Sequence, residues 1–318
     1  MCPVFDHQPV MLEEVAALFA PVPPGIVVDA TVGGGGHAAA ILRSHRDLRL
    51  VGLDQDPLAV DAARQALDRF AGRAEVVRAR FDALSEVVAS HAGGSAVSGV
   101  LFDLGVSSPQ FDEPARGFSY RHDAPLDMRM DPSQPVTAAE LVNTIEETEL
   151  VRLLTEHGEG RFARRVARAI VAARPVRTTG ELAEIVRTAI PAAARRTGGH
   201  PARRTFQALR VAVNDELEVL ARALPAAIDV LAPGGRCVAI AYHSGEDRLV
   251  KAAFTEAVTG GCVCPPGLPC TCGATPLGRL VFRGARRPSP AEVARNHRAE
   301  SARLRAFERL ADSGGTTS

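Results

Sequence analysis

The sequence contains no tryptophan and only two tyrosines, and aromatic residues make up 4% of its 318 residues. Proteins that hold several unpaired nucleic-acid bases usually stack them on aromatic side chains. The scarcity of such side chains therefore disfavours a broad base-stacking surface. Phe118 and Tyr120 could hold a single base, although two aromatic residues this close in sequence are as often part of a core.

Long apolar runs are also missing. The first residues, MCPVFDHQPVML, carry neither a cationic leader nor an apolar signal segment, and no later run reaches the roughly 18 apolar residues of a membrane-spanning helix. With 46% hydrophobic residues the chain can still fill a substantial core. We expect a cytoplasmic globular protein without a membrane partner.

The sequence has no net charge, since 37 basic residues balance 37 acidic ones, and this alone argues against a nucleic-acid partner. The distribution of charge reverses that conclusion. Residues 161–210 contain twelve arginines and two acidic residues, a formal charge of +10. Such a local field attracts polyanions whatever the total charge. Arginines 161, 164, 165 and 168 are expected on one helix face, where they are either an RNA clamp or simply a solvated surface.

Cysteine is scarce outside one short stretch. Of the six cysteines, four lie in CVCPPGLPCTC, at positions 262, 264, 270 and 272. Four thiolates could surround a tetrahedral zinc ion, but this spacing is less specific than paired C-x-x-C motifs. We therefore expect reduced surface thiols and no metal, and metal analysis of the purified protein is the test.

Short apolar runs alternate with helical stretches in the first hundred residues. Asp56-Pro57 is a start signal for a helix over 57–70. This alternation is typical of βαβ units around a parallel sheet. The predicted strands are 25–30, 48–54, 74–81, 98–105 and, much later, 234–244.

Between the fourth and fifth predicted strands the sequence changes character. A stretch rich in Pro, Asp and Ser is followed by a segment, from about 137 to 222, whose pattern predicts helices. This segment begins with a capping pair, Thr137 and Glu140. We predict an α/β domain formed by residues 1–111 and 223–318. Residues 112–222 are predicted to be an inserted, smaller all-helical domain that binds RNA.

The segment VVDATVGGGGH, residues 27–37, ends a predicted strand with a carboxylate and four glycines. Such a turn lets backbone N–H groups approach a ligand closely. Gly34-x-Gly36-x-x-Ala39 also fits the loose dinucleotide fingerprint, with Asp54 at the position of a ribose-binding acid. However, Asp29 would repel a pyrophosphate, whereas it would attract the sulfonium and amino group of S-adenosylmethionine. The sequence favours the methyl donor over a nicotinamide cofactor.

Further candidates follow at successive strand ends. Asp54 could accept the ribose hydroxyls, Phe81 could form an apolar wall for adenine, and Asp103 ends the fourth strand. Open α/β sheets bind ligands along this carboxyl edge. His243, at the end of the fifth strand, could line the same pocket, or the segment could be mainly a helix start capped by Ser244 and Asp247.

Several segments carry a resemblance to a known family. They include DATVGGGGHAAAIL, LFDLGVSSPQFDEPARGFSYRHDAPLDMRMDP, HPARRTFQALRVAVNDEL and LAPGGRCVAIAYHSGEDRLVK. From about His7 to Arg309 the chain resembles the bacterial small-subunit ribosomal RNA methyltransferase H family, also called MraW.

The resemblance implies a Rossmann-like class I fold that uses S-adenosylmethionine to methylate N4 of a cytidine in the decoding centre of small-subunit (16S) ribosomal RNA. It places the donor contacts at Gly35, Gly36, His37, Asp54, Phe81, Asp103 and Gln110. The implied partner is the small ribosomal subunit, and the oligomeric state stays open between monomer and homodimer.

A cytosine amine is a poor nucleophile, so catalysis must orient it beside a hydrogen-bond acceptor. Asp103 and His243 are the candidate catalytic residues. Gln110 departs from the acid-or-amide, Pro, Pro, aromatic pattern of other amino-methyltransferases, so the proton acceptor is not assigned there. The alternatives are a methyltransferase for a protein or small molecule, a nicotinamide oxidoreductase, and an assembly factor without turnover.

Overall fold

The computed structural model describes residues 9–107, 110–111, 113–158, 160–195, 200–265 and 271–311. Contacts divide the chain into two units, Met1–Gly105 with Leu217–Ser318, and Val106–Glu216. The predicted insert, 112–222, therefore begins six residues later than the second unit begins, and ends six residues later than that unit ends. One reason for the later offset is that helix residues just after Glu216, such as Leu220, are already buried in the core beside the sheet.

The first unit is built on a sheet of seven strands among the described residues. They are β1 (Gly25–Asp29), β2 (Leu48–Asp54), β3 (Ala74–Arg78), β4 (Val97–Asp103), β5 (Leu231–Ala241), β6 (Gly278–Leu280) and β7 (Arg303–Arg309). The order across the sheet is β3-β2-β1-β4-β5-β7-β6. Strands β1 to β5 are parallel, and β7 runs antiparallel to both neighbours.

This topology confirms the predicted Rossmann-like fold of the class I S-adenosylmethionine-dependent methyltransferases. All five predicted strands are present, and the helical insert enters between β4 and β5. The strand order reverses beside β1, and open α/β sheets bind ligands at such a switch point. Strands β6 and β7 were not predicted from the sequence.

Helices connect the strands and form the second unit. They are α1 (Leu12–Phe19), α2 (Gly36–Ser44), α3 (Pro57–Leu67), α4 (Leu84–His91), α5 (Ala138–Thr144), α6 (Glu147–His157), α7 (Ala163–Ala172), α8 (Thr179–Ala189), α9 (Ala192–Arg195), α10 (Arg203–Val213), α11 (Glu216–Asp229), α12 (Ser244–Thr259) and α13 (Pro290–Arg295). Two predicted start signals are confirmed. The Asp56 carboxylate accepts a hydrogen bond from Leu58 N at 3.0 Å, and Thr137 with Glu140 forms a capping box.

Alternating strand residues face two apolar layers in the first unit. Val28, Val100 and Phe102 belong to a cluster with residues of α4, α11 and α12. Val27 and Leu101 belong to a second cluster with residues of α1, and α2 and α3 pack over β2 and β3 in a third. Burial on both faces explains why these strands are continuous apolar runs in the sequence.

The second unit has its own core, formed by α5 to α8, α10 and the stretch before them. Phe118 is 6% exposed in this core, and Tyr120 stacks on His200 at 4.3 Å between ring centroids. These two aromatic residues are therefore packed within the unit, which favours the core interpretation over the base-holding one. In the described part of the chain, no helix is both long and apolar enough to cross a bilayer.

Helix α7 shows the predicted separation of faces. Its buried residues are Ala163, Val166, Ala167 and Ile170. Arg164, Arg165 and Arg168 are exposed, as is Arg161 just before the helix. The expected basic face is confirmed, whatever it binds.

Candidate active site

Three carboxylates stand at the carboxyl edge of the sheet in the first unit. Asp29, Asp54 and Asp103 are the last residues of β1, β2 and β4, which are adjacent in the order β2-β1-β4. Their placement follows from the topology, because parallel strands deliver their carboxyl ends to one edge. The predicted convergence of these residues is therefore present.

The glycine run forms the turn from β1 into α2. Gly33 and Gly35 have φ values of 49° and 79°, in the left-handed region that favours glycine. A Cβ on Gly36 would lie 2.3 Å from Pro9 Cγ. We expected all four glycines to serve close ligand approach, but Gly36 is also required by packing against Pro9. The turn itself is held by Gly35 N, which donates to Val32 O at 2.7 Å.

Asp29 is almost completely buried, with 1% of its surface exposed. Its Oδ1 accepts a hydrogen bond from Thr31 N at 3.2 Å. Burial raises the pKa of Asp29 to about 7, although the nearby His37 opposes the shift. The sequence interpretation treated this carboxylate as a fixed charge. The structure shows instead a group that ionises near neutral pH.

A polar chain surrounds Asp103. Tyr242 Oη donates to Asp103 Oδ1 at 2.7 Å, and His37 Nε2 lies 3.5 Å from Asp103 Oδ2. The backbone N–H of Asp103 donates to Thr31 Oγ1 at 2.6 Å. Burial and the adjacent Asp103 carboxylate raise the pKa of Tyr242 well above its usual value, so the phenol remains a donor. Asp103 is thus oriented on both sides while its side chain stays 24% exposed.

His37 is 6% exposed, at the first turn of α2. Both of its ring nitrogens are buried and make no hydrogen bond within the described residues. Buried polar groups without partners are uncommon in native proteins and call for an explanation such as a ligand. His37 is therefore the strongest indication that a further molecule binds at this edge.

Asp54 organises the neighbouring turn. Its Oδ2 accepts from Gly33 N at 3.1 Å and its Oδ1 accepts from Asp56 N at 2.9 Å. Loss of hydration raises the pKa of Asp54 to about 6, against the lowering effect of these hydrogen bonds. Phe81 follows β3 and packs edge-on against Phe102, with ring centroids 5.8 Å apart. Asp54 is the last residue of β2, whereas Phe81 lies beyond Arg78, where β3 ends earlier than the predicted 74–81. The contacts of these side chains with the donor's ribose and adenine stay predictions.

Gln110 belongs to the second unit, whereas the other predicted donor contacts belong to the first. It is 4% exposed, and its Oε1 accepts a hydrogen bond from Ser107 N at 3.0 Å. Ser108 and Pro109, from the same motif, lie outside the described residues. The contact of Gln110 with the donor stays a prediction.

His243 is the N-cap of α12. Its Nδ1 accepts from Gly245 N at 3.2 Å and from Glu246 N at 3.4 Å, and Nε2 lies 3.0 Å from Glu246 Oε1. The predicted cap by Ser244 with Asp247 is wrong by one residue, because Asp247 instead pairs with Arg305 at 2.8 Å. The structure thus gives His243 a clear local role at the helix start.

Similarity to known proteins agrees with this geometry. The profile of the MraW methylase family matches residues 4–310. The chain belongs to the MraW methylase family. Two relatives named "Ribosomal RNA small subunit methyltransferase H" are each 55% identical to it. That of Symbiobacterium thermophilum aligns over 96% of this chain and 97% of the relative, and that of Acidothermus cellulolyticus over 98% and 95%.

A solved structure described as an rRNA methylase from Streptococcus thermophilus aligns over 96% of this MraW-family chain and 99% of that chain. The identity is 12% and the TM-score is 0.43. The fold is defined by the strand order β3-β2-β1-β4-β5-β7-β6.

The methyl donor of this MraW-family methyltransferase is S-adenosylmethionine, and the residues present fit it. The ring nitrogens of His37, which make no hydrogen bond within the described residues, can meet polar groups of a ligand, and Gly34 of the turn is exposed. The carboxylate of Asp54 can accept hydroxyl groups. Sequence reasoning missed Tyr242 and Thr31, which orient Asp103. The one available signal was that Tyr242 follows β5, the neighbour of β4.

Proposed function

We propose that this protein methylates the exocyclic N4 amine of a cytidine in the decoding centre of small-subunit ribosomal RNA, in the cytoplasm. Support for an RNA substrate comes from the relatives, whose names state small-subunit ribosomal RNA methylation. The observation that carries the chemistry is Asp103, a partly exposed carboxylate oriented by Tyr242 beside the buried His37.

Asp103 is the group we assign to the amine. The lone pair of a cytosine amine is delocalised into the ring, so an acceptor that binds an N–H favours a geometry in which nitrogen can attack. S-adenosylmethionine supplies a methyl group made electrophilic by its sulfonium. General-base and orienting effects of this kind contribute roughly 10²- to 10⁴-fold in rate. The Tyr242 hydroxyl keeps one Asp103 oxygen occupied and directs the other toward the site.

The donor-binding roles are assigned to the residues around Asp103. We propose that Gly35, Gly36 and His37 hold the donor through the start of α2, that Asp54 accepts its ribose hydroxyls, and that Phe81 lies against adenine. Gln110 is kept as a further proposed donor contact, because the family resemblance implies it. His243 is proposed to act by fixing the start of α12, so it is a positioning residue for the neighbouring Tyr242.

The second unit is proposed to bind ribosomal RNA through its exposed arginines. Contacts to phosphates position an RNA but carry little sequence information. Selection of one cytidine would then depend on the folded RNA of the small subunit. Short naked RNA is accordingly expected to be a poor substrate.

The test uses small subunits from cells that lack the gene, incubated with protein and labelled donor. We expect a methyl group on one cytidine, located by mass mapping of the RNA and identified as N4-methylcytidine in the digest. Asp103→Asn should reduce kcat by 10²-fold or more. Leu58→Ser, at a half-exposed position on α3, is the control and should keep full activity.

Other results would redirect the assignment. Label on a protein or a small molecule, with none on the RNA, would contradict the proposed substrate. Stabilisation by a nicotinamide cofactor and not by S-adenosylmethionine would contradict the donor site. Full cellular complementation by Asp103→Asn would indicate an assembly factor that works without turnover.

A further inference from the structure

Three cysteine thiols converge in the first unit, in the loop that joins α12 to β6. The Sγ atoms of Cys262, Cys264 and Cys272 all lie within 4.8 Å of one another. The Sγ atoms of Cys262 and Cys272 are 3.6 Å apart. None of these residues takes part in the methyl-transfer chemistry proposed above, so their convergence needs its own explanation.

We propose that Cys262, Cys264 and Cys272 bind a zinc ion as thiolates. A tetrahedral zinc with bonds of about 2.3 Å to sulfur places its sulfur ligands about 3.8 Å apart, close to the separation of Cys262 and Cys272. A disulfide would need about 2.0 Å. The sequence alone favoured metal-free thiols because the C-x-C spacing is unspecific. The structure adds an observation that the spacing does not give, which is that the three candidate ligands lie close together.

The environment of Cys264 supports a thiolate. Its Sγ accepts a hydrogen bond from Thr271 N at 3.5 Å. A backbone N–H that donates to sulfur favours the thiolate, which is the form that binds zinc.

Val263, between two of the thiols, is 87% exposed, so its side chain adds little apolar burial to the loop. The base of the loop is closed by Leu277 N, which donates to Ala257 O at 2.8 Å. Gly260 and Gly273 turn the chain at φ values of 61° and 72°. A metal that joins residues 262, 264 and 272 would close the outer part of the loop in the way the backbone closes its base.

Metal analysis of the full-length protein, purified under reducing conditions, tests the proposal. We expect about one zinc per chain by mass spectrometry. The variants Cys262→Ser, Cys264→Ser and Cys272→Ser should each lose most of the zinc, whereas Val263→Ser, in the same loop, should retain it. Cobalt reconstitution should give the thiolate-to-metal charge-transfer bands of a tetrahedral site.

A chain that takes up no zinc or cobalt on reconstitution with free thiols would overturn the proposal. So would a disulfide between Cys262 and Cys272 in protein purified under reducing conditions, or zinc content that the three Cys→Ser changes leave unaltered. These measurements do not depend on methyl transfer. They therefore test the metal site separately from the proposed function.

Discussion

Asp29 shows how burial changes the ionisation of a side chain from what the sequence alone suggests. From the sequence, a carboxylate before a glycine turn is interpreted as a permanent negative charge, and this interpretation favoured a sulfonium ligand. In the fold the same residue is 1% exposed, and burial raises its pKa to about 7. Its charge is therefore only partly developed at neutral pH in the free protein. A cationic ligand nearby would favour the ionised form.

The raised pKa predicts how Asp29 affects stability. Between its ordinary value of 3.8 and about 7, the folded protein keeps a proton on Asp29 that the unfolded chain has released. The free energy of unfolding therefore falls as pH rises through that window. Asp29→Asn should remove the decrease in the free energy of unfolding that Asp29 causes. At about pH 8 the variant should therefore be more stable than the wild type by up to about 4 kcal/mol.

Urea unfolding of both proteins across this pH range is the measurement. Asp61→Asn changes an exposed carboxylate on α3 and serves as the control, since its side chain is 69% exposed. If the free energy of unfolding had the same pH dependence in the wild type and in Asp29→Asn, the prediction would be wrong. Ionisation of Asp29 would then not destabilise the folded protein.

The residues at the strand ends could be predicted because their position depends on local pattern alone. Each of Asp29, Asp54 and Asp103 closes an apolar run, and parallel strands share one edge. Tyr242 could not be predicted as the partner of Asp103, because the two are 139 residues apart and the contact depends on the register of β4 and β5.

At the scale of elements, the start of α12 was predicted one residue late. Ser and Asp three positions apart are a common cap pattern, yet His243 and Glu246 form the capping box. Local preference was overridden by a distant ion pair, since Asp247 is held by Arg305 of β7. Helix boundaries depend on such tertiary contacts, which a single sequence does not display.

The cap role predicts separable effects of substitution at His243. His243→Ala should lower the free energy of unfolding by about 1 kcal/mol, because two backbone N–H groups at the helix start lose their acceptor. Asn is a strong N-cap residue, so His243→Asn should restore stability and, with it, methyl transfer. Thermal unfolding and single-turnover rates on the same preparations provide the comparison. Restored stability without methyl transfer would assign His243 a direct part in the reaction.

Strands β6 and β7 illustrate what pattern reading misses. β7 has the sequence RLRAFER, in which three arginines and one glutamate interrupt the apolar residues. Its apolar residues are buried by tertiary packing, since Leu304 and Ala306 lie in a cluster with residues of α1 and Phe307 packs near Phe254 of α12. β6 has three residues and pairs only with β7 among the described strands. By contrast, strands buried on both faces were predicted from their continuous apolar runs.

On the scale of the whole molecule, a net charge of zero conceals a strongly basic segment in the second unit. The arginines of the second unit do not all have the same surroundings. Arg187 pairs with Glu184 at 2.6 Å and Arg152 with Glu149 at 2.8 Å, so much of their charge is neutralised locally. Arg164 and Arg165 are exposed on α7, and neither forms an ion pair with another described residue. Only the latter kind adds much to a field that reaches a polyanion.

This difference predicts which arginines bind RNA. In titrations of small-subunit RNA at increasing salt, Arg164→Ala with Arg165→Ala should weaken binding and lower the slope of log K against log salt by about 1 to 2, because two phosphate contacts are lost. The matched control, Arg152→Ala with Arg187→Ala, removes the same formal charge from ion-paired positions and should leave the slope nearly unchanged. Equal slopes for both double variants would mean that total charge, and not the face of α7, determines RNA binding.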